Sequence, residues 1–222
     1  MSFSERLKEA SRLIDQRQLE HAVTVCEQAI EVAHTASERA QAHQKEGIAL
    51  RLMGNFTEAI AQFIEAKALA IEAEDTALVG RILRDRGMVY IDRAVAEHHE
   101  PEPEAIGYLA ESHIILSEAG EYVEAAATRG FIGRLYFIVG YDLRAISTME
   151  CAHRDLHGKQ DTYELNNLIW LARVSPFHRY QYALRGLFLS AKLKQPKRGV
   201  EYLILLAGGE RLYRLAKEKL AQ

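Results

Sequence analysis

The chain has 222 residues, with 28 Lys+Arg against 31 Asp+Glu and a formal net charge of −3, a length that fits one compact domain or one short solenoid. At 48% hydrophobic and 27% charged residues it can bury a real core and stay soluble, and it has no long apolar run that would cross a membrane. Only four prolines occur, while Ala, Leu, Glu, Arg and Gln, the residues that lose least in a helix, are abundant, so an all-α protein is expected.

Taken in chain order, helical patterns pair up at 3–16 with 19–35, 38–53 with 56–74, 76–97 with 102–118, 121–139 with 142–157, and 161–174 with 178–194. In the third pair the stretch Glu97-His98-His99-Glu100-Pro101-Glu102-Pro103-Glu104 carries two prolines at alternate positions, which cannot lie inside a helix. It reads as an enlarged, exposed, acidic inter-helix loop, either a docking site or a tolerated insertion. Pro196 opens a last element over about 197–220, broken at Gly208-Gly209, and Glu210, Arg211, Arg214, Lys217 and Lys219 give it the polar outer face of a solubilising cap.

One segment recurs. An acidic or polar residue followed by Ala and an aliphatic residue appears as Glu58-Ala59-Ile60, Glu104-Ala105-Ile106 and Arg144-Ala145-Ile146, with weaker copies at His21-Ala22-Val23 and Tyr182-Ala183-Leu184. Gly47 lies 12 residues before Ala59, and Gly133 lies 12 before Ala145. Two antiparallel helices can approach closely where a Gly on one meets an Ala on the other. Phe56, Phe63, Leu50 and Tyr136 then fill the space between hairpins, and each hairpin leaves a face that a neighbour must cover.

The stretch from Gly47 through Leu50, Gly54, Phe56, Ala59 and Ile60 to Phe63 and Ala66 closely resembles a tetratricopeptide repeat, and a second match runs from Gly133 through Gly140 and Ala145-Ile146 to Ala152. The resemblance covers about residues 3–193, strongest in repeats two and four. Ala22 to Ala59 is 37 residues and Ala145 to Ala183 is 38, against about 34 in the usual form. With the link Ala73-Glu74-Asp75-Thr76-Ala77, this resembles the extended subclass that includes kinesin light chain, spindle-orientation adaptors and bacterial signalling-peptide receptors. The resemblance implies a right-handed superhelix of about five antiparallel helix pairs plus a C-terminal cap, one domain over 1–222, with an extended peptide held in a concave groove.

In such a family the first helix of each pair lines the groove. The matching positions here are Gln41, Gln44, Ile48 and Arg51 in repeat two; Arg81, Arg84, Met88 and Ile91, beside Asp92, in repeat three; and Ala127, Gly130, Arg134 and Phe137 in repeat four. Arg51, Arg81, Arg84 and Arg134 would then face one cleft and grip carboxylates. Departures from the family pattern are Asp85, Met88 and Arg134 where an Asn is usual, and Arg86 where a buried Leu is usual; either Arg86 pairs with Glu104 or Glu111, or the register is off by one.

Motifs for chemistry are missing: there is no Gly-rich phosphate loop, HExxH or paired-Cys motif. His153 and His157 are four apart on one helix, a spacing that can bind a metal, but nine His in an acidic chain produce such pairs by chance. No catalytic residue, metal or cofactor is assigned. Charge is uneven: residues 1–160 hold 17 basic and 26 acidic residues, while 161–222 hold 11 and 5. Solvated helix faces explain this most simply, and head-to-tail contact or an anionic partner is the alternative. Cys26 and Cys151 sit among apolar residues and Met1 to Arg6 is polar and charged, so a cytoplasmic location is expected. The reading is therefore a scaffold or adaptor with a protein or peptide partner, without nucleic acid or membrane. The rival is a self-associating scaffold using Leu203-Ile204-Leu205-Leu206 and the aromatics Phe177, Tyr180, Tyr182 and Phe188; an all-α enzyme is disfavoured.

Overall fold

The computed structural model describes residues 1–159, 161–175 and 178–206, and among these every regular element is an α-helix. The elements are α1 (Phe3–Asp15), α2 (Leu19–Glu31), α3 (Ala36–Met53), α4 (Phe56–Glu72), α5 (Thr76–Glu97), α6 (Glu104–Glu118), α7 (Tyr122–Ile138), α8 (Asp142–Leu156), α9 (Asp161–Val174) and α10 (Arg179–Lys192). Residues 196–206 are again helical. The cap residues expected beyond Gly208, and Phe177, lie outside the described residues. No helix among the described residues is long and apolar enough to cross a membrane.

Local chemistry sets the helix starts. Ser2 and Glu5 form a capping box on α1, and Thr35 and Glu38 form another on α3. Asp75 Oδ1 accepts from the Leu78 amide at 2.9 Å to start α5. Each box satisfies amides that a first helical turn leaves without partners. Gly54, at φ +87°, turns the chain from α3 into α4, a left-handed conformation that costs a glycine little.

The chain divides into two compact units, Met1–Ala125 and Ala126–Gln222. In the first, α1 packs on α2, α3 on α4 and α5 on α6, and α2 and α4 pack on the first helix of the following pair. A methyl group on Gly47 would stand 2.9 Å from the Phe63 ring, and Ala59 and Phe63 are fully buried. In the second unit a methyl on Gly133 would stand 2.5 Å from Met149 Cγ and 3.2 Å from the Ala145 carbonyl oxygen. Gly133 thus meets Ala145 as the spacing leads one to expect, whereas Gly47 meets Phe63, one turn beyond Ala59.

The third pair has the expected helix over 76–97 and the enlarged connection: α5 has 22 residues against 18 in α3, and residues 98–103 separate it from α6 where only 54–55 separate α3 from α4. The connection is also tied down, because Arg93 pairs with Glu102. Arg86 does not pair with Glu104 or Glu111; its guanidinium lies 4.4 Å from the centroid of the Tyr108 ring, which stacks on Tyr90. An aromatic face and the Arg stem thus take the space a Leu would fill.

Candidate functional site

Within the first unit, α1 touches α3 and α3 touches α5, whereas the backbones of α2, α4 and α6 do not approach one another. The side chains of Lys67 on α4 and Glu111 on α6 bridge two of them, Nζ to Oε1 at 3.6 Å. Helices that converge on one side and separate on the other put α1, α3 and α5 on the inside of this unit's curvature.

Two polar rungs cross from α3 to α5 on that side. Gln44 Nε2 donates to Asp85 Oδ2 at 2.7 Å, and two turns further on Arg51 pairs with Asp92. Gln44 and Arg51 are seven residues apart, as are Asp85 and Asp92, so both rungs fall on matching stripes of the two helices. Ile48 on α3 and Met88 on α5 fall between the rungs in sequence, Ile48 half-buried and Met88 buried. The network continues past Asp85, whose Oδ1 accepts from Arg84 Nε at 3.1 Å; Arg84 also pairs with Glu124 at the start of α7. Nearer the helix starts, Gln41 Nε2 donates to Ser37 Oγ, and Ser37 Oγ to Asp75 Oδ2, each at 3.3 Å.

The expected arginine cleft is therefore corrected in its electrostatics. Arg51 and Arg84 are not bare cations that repel one another, because each holds a carboxylate of its own chain. Arg81, half-buried one turn before Asp85, is the member of the set in this unit with no hydrogen-bond or ion-pair partner among the described residues. Asp85 and Glu124 organise the network. The identical seven-residue offset of the Gln–Arg and Asp–Asp pairs was the signal for Asp85, whereas Glu124 comes from a repeat later and left no local trace.

Arg134 and Phe137 belong to the second unit, where they gather on Trp170. The Arg134 guanidinium lies 4.7 Å from a Trp170 ring centroid, Arg173 lies 4.1 Å from one, and Phe137 meets the indole edge-on at 6.1 Å. Trp170, the sole tryptophan, was not among the expected site residues. His153 and His157 stack at 6.1 Å, but the Arg185 guanidinium sits against the His157 ring and donates to buried Glu164 at 2.7 Å. A cation at that ring pair would have to displace Arg185.

Away from this face, Glu46 is buried between α3 and α4. Gln62 Nε2 donates to its carboxylate at 2.8 Å, and Gln62 Oε1 meets His43 Nδ1 at 2.6 Å. Burial, with a smaller contribution from nearby Glu27, pushes the Glu46 carboxyl up to about 7. Burial likewise pushes the Cys26 thiol to about 12, as for a small core hydrophobe.

No family model and no curated protein sequence matches the chain. Solved structures do. The apo form of RapI superposes with a TM-score of 0.68 at 17% identity, covering 99% of this chain; the match spans 63% of the RapI chain, under two thirds of its length. Two structures of Podosopora anserina putative kinesin light chain nearly identical TPR-like repeats, one of them a point variant, give TM-scores of 0.60 and 0.56 at 15% and 16% identity; each covers 86% of this chain and more than nine-tenths of the other. The chain thus has a tetratricopeptide-like helical repeat fold.

Proposed function

We propose that the chain is a protein-interaction scaffold that binds a peptide segment across the α3–α5 face of its first unit, and that its five helix pairs act as one repeat domain. The carrying observation is the pair of polar rungs, Gln44–Asp85 and Arg51–Asp92, enclosing apolar Ile48 and Met88 on the side where the first helices converge. Such a strip offers an extended chain alternating apolar and hydrogen-bonding contacts. Because Arg51 and Arg84 are already neutralised, recognition of a carboxylate on the peptide narrows to Arg81. A single partly exposed ion pair contributes ~0–1 kcal/mol, so most affinity comes from the apolar positions. Arg134 and Phe137, around Trp170 in the second unit, remain in the proposal as a separate contact cluster. No residue is assigned a catalytic role.

The test uses a random peptide library displayed on phage and selected on the wild-type chain, with anisotropy titrations of the recovered peptides. Arg81→Ala should weaken binding about three- to tenfold, and Ile48→Arg should abolish it. Affinity that is unchanged in both variants, each with wild-type helical circular dichroism, refutes this face as the binding site.

A further inference from the structure

Two helices carry apolar stripes that face solvent. On α10, Tyr180, Leu184 and Phe188 recur at i, i+4 and i+8 and are 62%, 46% and 75% exposed, with exposed Ala191 extending the row. On α4, Ile64 and Ile71 are 50% and 57% exposed, and exposed Ala61 and Ala68 lie in the same row. Single exposed apolar residues need no explanation, but rows at helical spacing do. A self-association surface made of all the C-terminal apolar residues is not what the structure offers: Leu205 is buried and Tyr182, Ile204 and Leu206 are half-buried, which leaves the α10 row with Leu203.

The two rows have borders of opposite sign. Glu58, Glu65 and Glu72, all exposed, run at seven-residue spacing along one flank of the α4 row. The opposite flank holds Lys67, which is engaged by Glu111. Beyond the end of the α10 row stand exposed Lys194 and Lys197, with exposed Lys192 in its last turn, while Arg185 and Arg198 are already engaged by Glu164 and Glu201. Both rows are of similar length and both are helical, so one helix can lie along the other with apolar contacts in the middle and ion pairs at the margin.

We propose that the α10 row of one copy docks on the α4 row of a second copy, a head-to-tail contact between two different surfaces of the same chain. Each docked pair leaves one α4 row and one α10 row open, so association continues beyond the dimer unless it closes on itself. A single helix-on-helix contact buries less than the ~1,600 Å² of a standard interface. The contact is therefore weak, concentration-dependent and reduced by salt. It uses none of the α3–α5 residues assigned to peptide binding and stands independently of that reading.

Sedimentation velocity on the full chain tests it. The wild-type mass should rise above the 25.1 kDa monomer between about 5 and 500 µM, and rise less in about 0.5 M salt. Phe188→Asp and Ile64→Asp, both at exposed positions, should each stay monomeric with unchanged helical circular dichroism. Mixed in equal amounts they should form a dimer and stop there, because the first keeps a working α4 row and the second a working α10 row. A wild-type chain that stays monomeric over the whole range, a variant that associates as the wild type does, or a mixture that remains monomeric overturns the proposal.

Discussion

Replacing Glu46 with glutamine should stabilise the chain, and by an amount that depends on pH. The carboxyl is buried and feels Glu27, so its pKa rises from 4.5 to about 7 although it accepts one hydrogen bond from Gln62. The raised value means the folded state holds the proton more tightly than the unfolded state. That contribution is fully present below pH 4.5 and is lost as pH climbs through about 7. At about 1.36 kcal/mol per pKa unit, the full loss is ~3 kcal/mol once Glu46 is ionised. Glutamine keeps the shape and can accept the same bond from Gln62, but never ionises. In urea melts the stability difference between Glu46→Gln and wild type should therefore be near zero at pH 4.5, grow through pH 6–7, and level off above pH 8 at ~2–3 kcal/mol in favour of the variant. A difference that stays constant from pH 4.5 to 9, or one that favours the wild type at high pH, would show that Glu46 ionises without cost and would refute the reasoning.

Two further substitutions probe the fold and the network. Asp85→Ala removes the acceptor shared by Gln44 and Arg84. It should destabilise the chain by ~3 kcal/mol in urea melts, most of it from leaving buried polar groups short of partners, while Asp85→Asn, which keeps an acceptor for one of them, should cost less. Ala59→Leu forces a larger side chain into a fully buried helix crossing beside Phe63 and should lower stability by ~1–3 kcal/mol; a thermal melt unchanged from wild type would remove Ala59 from the crossing.

Helix type and most helix limits were legible in the sequence because they depend on neighbours a few residues away. Capping residues such as Ser2, Thr35 and Asp75, the turn glycine Gly54, and the Gly47/Ala59 and Gly133/Ala145 spacings are all local signals. Of these, Gly54 and the two Gly/Ala spacings carried the resemblance to tetratricopeptide repeats. The limits of α5 were legible too: the helix expected over 76–97 is α5, because the two prolines mark where a helix cannot continue. Only the tertiary structure decided the charge state of the proposed face. Whether an arginine stripe attracts an anion depends on which carboxylates the adjacent helices present, and Arg51–Asp92 and Arg84–Glu124 each span about forty residues of chain. Tertiary packing likewise gave Arg51 and Arg84, but not Arg81, a carboxylate partner among the described residues, put Arg86 on Tyr108 and raised the pKa of Glu46. Propensity and spacing are properties of a segment, whereas ion pairing and desolvation are properties of the surfaces that segments bring together.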